Sequence, residues 1–125
     1  MSNLAEKVKA DALEAQKFSR KHLVLELDFT EPGVQELEAT VDSLEFAIPG
    51  GLSDENVKML TRIWGAYIGE SLRRARGGEW VEQEGKLALA SDKATTYPQE
   101  QVRRRLTEGP EHNLVEYFQQ TKQQL

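Results

Sequence analysis

Between Ser53 and Gly78 the chain can form little other than one long, mostly buried helix. Ser53 is a good N-cap, and Asp54 and Glu55 meet the positive end of the helix dipole. Leu52 and Val57 are placed for a hydrophobic staple. On a wheel of 100° per residue, Val57, Leu60, Trp64, Tyr67, Ile68 and Leu72 share one broad face. Gly65 and Gly69 lie along its edge, one turn apart, with Met59 and Ala66 behind. Lys58, Arg62, Arg73 and Arg76 mark the only clearly wet side. A helix apolar over so much of its girth is central, touched by several neighbours. Its stop is predicted at Gly77–Gly78, where a left-handed C-cap suits glycine. Each interior glycine costs about 1 kcal/mol against alanine, so close approach of another backbone is the expected reason for Gly65 and Gly69. The alternative is a dimer seam, but the G-x-x-x-G spacing has that meaning inside an apolar membrane segment, which this is not. Trp80 is expected to fold back onto the helix end as part of the core.

The flanking segments read as smaller elements. Residues 4–20 favour a helix with a thin apolar stripe of Leu4, Val8, Ala12 and Ala15, with Phe18 beside it, placing it on the domain's periphery. Residues 22–29, HLVLELDF, alternate, with Leu23, Leu25, Leu27 and Phe29 on one side, which predicts a half-buried strand; Val24 is the exception. Thr30 can cap a helix with Glu31 and Pro32 in its first turn, continued by Val34, Leu37, Val41 and Leu44. IPGG at 48–51 breaks the chain. After the central helix, turns at Gly85 and Ser91–Asp92 leave short strands near 79–84, 86–90 and 94–97. Pro98 opens a helix carrying Val102 and Leu106, GP at 109–110 ends it, and a last helix carries Leu114, Tyr117 and Phe118. The expected architecture is a single α+β domain over residues 1–125, with a central buried helix and flanking helices on a small, largely antiparallel sheet.

Several function classes are disfavoured. The chain of 125 residues has no cysteine, which removes disulfides, thiol catalysis and thiolate metal sites. Its two histidines, His22 and His112, have no HxxxH or HxH spacing, so no metal and no cofactor are expected. The N-terminal stretch MSNLAEKVKADALEAQKF lacks an apolar core of signal-peptide length, and no run approaches a membrane span. A cytoplasmic protein with no membrane association is the expectation. The net charge is −5, and nine acids with no Lys or Arg lie between His22 and Val57. That balance argues against general nucleic-acid binding. The basic residues gather instead in two triads, Arg73–Arg74–Arg76 and Arg103–Arg104–Arg105.

Glu70 is the ambiguous residue. It lies on the border of the apolar face, with Arg73 and Arg74 at i+3 and i+4, the favourable order for a helical ion pair. One reading is a border salt bridge worth a few tenths of a kcal/mol, if exposed. The other is a carboxylate held in a cleft, as a general base or an anchor for a cation. The two triads, the second on a helix expected near the end of the central one, would together offer a site for phosphate or carboxylate. The alternative is that they neutralise the acidic 22–57 region. The candidate binding residues are therefore Glu70, Arg73, Arg74, Arg103, Arg105 and His112, with no catalytic residue assigned.

At these residues the chain resembles an uncharacterised bacterial domain family with a helix reading GAYxGExxRR, then GGxW, then a proline-led helix ending KVxxRLxxGPE, then an aromatic-ended helix. The matching residues are Gly65, Ala66, Tyr67, Gly69, Glu70, Arg73 and Arg74; Gly77, Gly78 and Trp80; Val102, Arg105, Leu106, Gly109, Pro110 and Glu111; and Tyr117 and Phe118. The lysine usual before Val102 is Gln101 here. The match covers roughly residues 53–120. The resemblance implies a fold-stabilising signature centred on Gly65, Gly69, Gly77, Gly78 and Trp80, and little chemistry.

The expected function is a small non-catalytic protein-interaction module whose acidic region steers a basic partner, in loose analogy to toxin-neutralising immunity proteins. The alternatives are an enzyme or a small-ligand or anion binder using Glu70, His112 and the arginines, and a nucleic-acid binder through the triads. No serine elbow or phosphate loop supports an enzyme.

Overall fold

In the computed structural model, which describes residues 3–48 and 50–125 without the side chains of Glu45 and Phe46, the chain runs α1 (Leu4–Leu23), α2 (Glu31–Ala47), α3 (Asp54–Arg76), β1 (Glu79–Gln83), β2 (Lys86–Ala90), β3 (Thr95–Thr96), α4 (Pro98–Glu108), a short 3₁₀ turn (Pro110–His112) and α5 (Leu114–Gln124). Pro49, in the break expected at 48–51, lies outside the described residues. The α+β class is as read from the sequence: helices packed around a small antiparallel sheet of order β1-β2-β3.

α3 is the axis. Ser53 caps it by accepting from the Asn56 N–H, and Gly77 ends it with φ of +87°. Every residue from Ile63 to Leu72 is buried. Interior placement over almost three turns follows from wrapping on several sides: α1 along one flank, α4 across another, and α5 and the sheet beyond. α1 is longer than the 4–20 expected, and it buries Val8, Asp11, Ala12, Ala15 and Ser19 while its outer face is exposed. Trp64 donates from its indole N–H to the Ser19 hydroxyl, 3.1 Å, so the largest side chain of α3 is also fixed in orientation by α1.

The glycines behave as their cost requires. A methyl on Gly65 would lie 2.6 Å from the Gln99 Cα at the start of α4. One on Gly69 would run into the Trp80 ring and come within 3.1 Å of Pro98. Both sites are therefore intramolecular contacts, where β1 and α4 approach the α3 backbone. The hairpin from β1 to β2 turns through Glu84 and Gly85, with φ of +53° and +77°. Positive φ at both central residues gives the turn a twist that matches its strands.

The strand expected at 22–29 does not form. His22 and Leu23 finish α1, and Val24, at φ +52° and 93% exposed, caps it. The alternation is real, since Leu25 and Leu27 are buried and Glu26 and Asp28 exposed, but among the described residues no second strand lies beside it. Its backbone is satisfied by other groups: Leu25 N–H donates to Ser19 O, Leu27 O accepts from the Gln16 amide, and Phe29 N–H donates to the Tyr67 hydroxyl. Period two reports an extended chain on a core, and a sheet needs a neighbour as well.

Candidate functional site

Glu70 sits on α3 facing the sheet, with 1% of its side chain exposed. One carboxylate oxygen accepts from the Trp80 indole N–H at 2.7 Å and from Arg73 Nε at 2.7 Å; the other accepts from Arg73 Nη2 at 3.1 Å. The i, i+3 salt bridge to Arg73 is present, but its carboxylate is interior and not at an exposed border, and Arg73, 32% exposed, carries the pair to water. Burial alone raises a carboxyl pKa, but here the Arg73 guanidinium and the Trp80 N–H outweigh it, with Arg74 adding at longer range, and Glu70 is held below its ordinary value. A general base poised near neutrality requires the opposite shift. What the arrangement does is hold the Trp80 ring down over Gly69.

Arg74 acts on Glu70 only at a distance. Its guanidinium lies over the Phe29 ring, 3.7 Å from the centroid. Phe29 has φ +65°, an unfavourable conformation for an aromatic residue, and is pinned there by the Tyr67 hydroxyl, which accepts its N–H at 3.0 Å. Burial pushes the Tyr67 pKa up to about 12. Gly33 is required in the same knot, because a methyl there would strike the Tyr67 hydroxyl.

Arg105 is fully buried. Its guanidinium meets Glu38 of α2, with Nε to Oε2 at 2.9 Å and Nη2 to Oε2 at 2.9 Å, and reaches Asp42 at 3.6 Å. Glu38 also accepts the Leu114 N–H at the start of α5, at 2.9 Å. One ion pair thereby ties α2, α4 and α5. Arg105 thereby makes the pairing with the acidic 22–57 region that the sequence offers for the triads, but the particular partner Glu38 and the full burial are not legible there. The nearest signal was the position of Arg105, three residues after Val102 and beside Leu106 on the apolar stripe of α4.

The two arginine triads do not meet. α4 crosses the middle and first half of α3, not its end: Gln99 packs on Gly65 and donates to the Arg62 carbonyl, and Arg103 lies beside Thr61 and Lys58. Thr61 and Arg73 are about 18 Å apart along the helix axis at 1.5 Å per residue. Arg103 and Arg104 pair with Glu100 on their own helix. His112 is remote from Glu70; its Nε2 lies 3.1 Å from Glu108, beside a shallow depression of about 170 Å³ that includes Asn113 and Tyr117.

The acidic 22–57 region is partly neutralised, by cations that lie outside it. Glu26 pairs with Arg20, Asp28 accepts from Thr30, Glu31 takes Lys122 and Gln119, and Glu38 takes Arg105. Asp42, Asp54 and Glu55 are exposed. A small notch of about 50 Å³ is lined by Val41, Leu44, Gly51, Leu52 and Leu106.

Among the described residues no group of three or more His, Cys, Asp or Glu is arranged to hold a metal ion, and no helix is long and apolar enough to cross a membrane. Comparison with protein-family models, with curated proteins and with solved structures finds no match.

Proposed function

We propose that the chain is a small, non-catalytic, cytoplasmic protein-interaction module of the bacterial family its motifs resemble, binding a basic partner and not nucleic acid. The observation that carries this reading is the notch between α2 and the start of α3. Its walls are Leu44, Leu52 and Leu106, and the carboxylates Asp42, Asp54 and Glu55 follow the lining residues by one to three positions in sequence. An apolar recess with exposed carboxylates close by in sequence suits a protein segment that inserts one apolar side chain and carries Lys or Arg on either side. Glu70 and Arg105 support the same reading indirectly, because each is engaged by partners inside the fold.

The test is affinity capture from cells that make the protein, comparing wild type with Asp54→Lys/Glu55→Lys and with Leu52→Asp. The expected result is one basic protein held by wild type, confirmed with purified partner, and lost with both variants while their unfolding midpoints stay near wild type. An unchanged set of captured proteins across all three would contradict the proposal.

A further inference from the structure

We propose that the outer face of α1, together with Val24 at its end, docks an acidic amphipathic helix of a partner protein, at a surface separate from the notch beside Leu52. Val24 is costly twice over. At φ +52° it holds the left-handed conformation, an outlier for a β-branched residue, at a helix cap where glycine or asparagine is usual. Its side chain is 93% exposed. The fold uses the backbone turn, since the Leu25 N–H reaches back to Ser19 O at 3.1 Å, but gains almost no packing from the isopropyl group. The other non-glycine residues of positive φ differ. The Phe29 ring packs against Tyr67 and Arg74, and Glu84 is a polar residue in the hairpin turn. Val24 alone among them joins strain to bare apolar surface, a combination that marks a functional position.

Leu13, 50% exposed, is the second apolar group of this surface. Leu13 and Val24 are the two exposed large hydrophobic residues among the described residues, and both belong to α1 and its cap. They stand three turns apart, about 16 Å at the helical rise. Lys9, Leu13, Lys17 and Lys21 recur at every fourth position and are all exposed, so they share one broad side of the helix. Lys9, Lys17 and Lys21 make no ion pair among the described residues. The neighbouring acids are engaged elsewhere: Asp11 and Glu14 hold Arg62, Asp11 also meets Lys7, and Glu26 holds Arg20. Glu6, in the first turn, is the one acid of α1 left without a cation among the described residues. Three free ammonium groups against one free carboxylate is a local excess of positive charge in a chain of net charge −5.

Charge complementarity makes the occupant acidic, and the free lysines can take its carboxylates without first breaking a pair inside the fold. The shape of the surface makes it a helix. A helical face offers no open backbone N–H or C=O, so a strand laid on it gains no main-chain bonds. A helix satisfies its own backbone and brings apolar residues at the same three-turn spacing, with Glu or Asp on the turns between. A lipid surface fits less well. The apolar stripe of α1, with Val8, Ala12 and Ala15, is already buried, and two apolar side chains separated by lysines do not make the continuous apolar face that seats a helix in a bilayer. With two apolar anchors and three exposed charges, the affinity is modest, on the order of 100 micromolar.

The probe is a synthetic alanine-based helix carrying two leucines three turns apart with glutamates on the turns between, titrated into the full chain and followed by amide NMR. Two control peptides replace the glutamates by glutamine or the leucines by serine, and vesicles of phosphatidylglycerol with phosphatidylcholine are run in parallel. The expected result is movement of amides in 9–25 with the acidic helix, binding about tenfold weaker for each control peptide, and no uptake of the chain by the vesicles. Lys17→Glu/Lys21→Glu and Val24→Gly, both at exposed positions, should each weaken the acidic helix by about tenfold. Val24→Gly should at the same time raise the unfolding midpoint, because glycine takes the left-handed cap without strain. Weaker binding with higher stability is a pairing that a purely structural role for Val24 does not produce. Docking is refuted if those amides stay still, if the glutamine peptide binds as well as the acidic one, if the vesicles take up the chain through the same residues, if either variant binds like wild type, or if Val24→Gly lowers the midpoint.

Discussion

At the Trp80 end of α3 a buried carboxylate is served by a guanidinium that reaches water; between α2 and α4 a buried guanidinium is served by a carboxylate near the surface. Glu70 is 1% exposed against 32% for Arg73, whereas Arg105 is fully buried against 12% exposure for Glu38. The first pair is local, three residues apart on one helix, and its long-range work is done through the Trp80 indole. The second joins residues 67 apart and adds the first N–H of α5. Each pair draws its strength from a different source. Losing Glu70 strands one indole N–H and a guanidinium with a route to solvent. Losing Arg105 strands an acid at a three-helix junction and leaves the volume of a long side chain empty.

Arg105→Ala should therefore have the largest effect, about 3–5 kcal/mol of lost stability by denaturant unfolding, the range for breaking a buried pair. Glu70→Ala should follow at about 2–3 kcal/mol, because Arg73 relaxes into water while the Trp80 N–H is orphaned. If Glu70→Ala proved the more damaging, the contrast between the two centres would be reversed. Gly69→Ala should cost about 1–3 kcal/mol, since its methyl meets the same ring that Glu70 holds; a neutral result would mean the ring is not clamped.

The smallest effect is on pH dependence. Glu70 has a folded pKa below the ordinary 4.5, so as pH falls the unfolded chain takes up this proton first. Its contribution is complete above that ordinary value and is lost as pH drops through the depressed one. Stability measured from neutral pH downward should fall less steeply in Glu70→Gln than in wild type. An identical slope would show that the Arg73 and Trp80 contacts do not favour the charged form.

How much of this was legible in the sequence tracks the same contrast. α3, its Ser53 cap, its stop at Gly77 and the packing role of Gly65 and Gly69 follow from local patterns, and each is found in place. The pairing of Glu70 with Arg73 follows from i, i+3 spacing. Its burial does not, because it depends on Trp80 crossing the helix ten residues back. The strand expected at 22–29 failed for a related reason: alternation records which side of an extended chain meets the core, while strand pairing depends on what else lies alongside. The Arg105–Glu38 pair arises where separate helices cross, and single-helix periodicity carries no information on crossings.

Glu70 acts on the fold through Trp80. A double-mutant cycle of Glu70→Gln and Trp80→Phe, read by equilibrium unfolding, tests it most directly, since the phenylalanine keeps much of the ring and removes the N–H. A coupling of about 1–2 kcal/mol between the two positions is expected. Strict additivity, within about 0.3 kcal/mol, would contradict it.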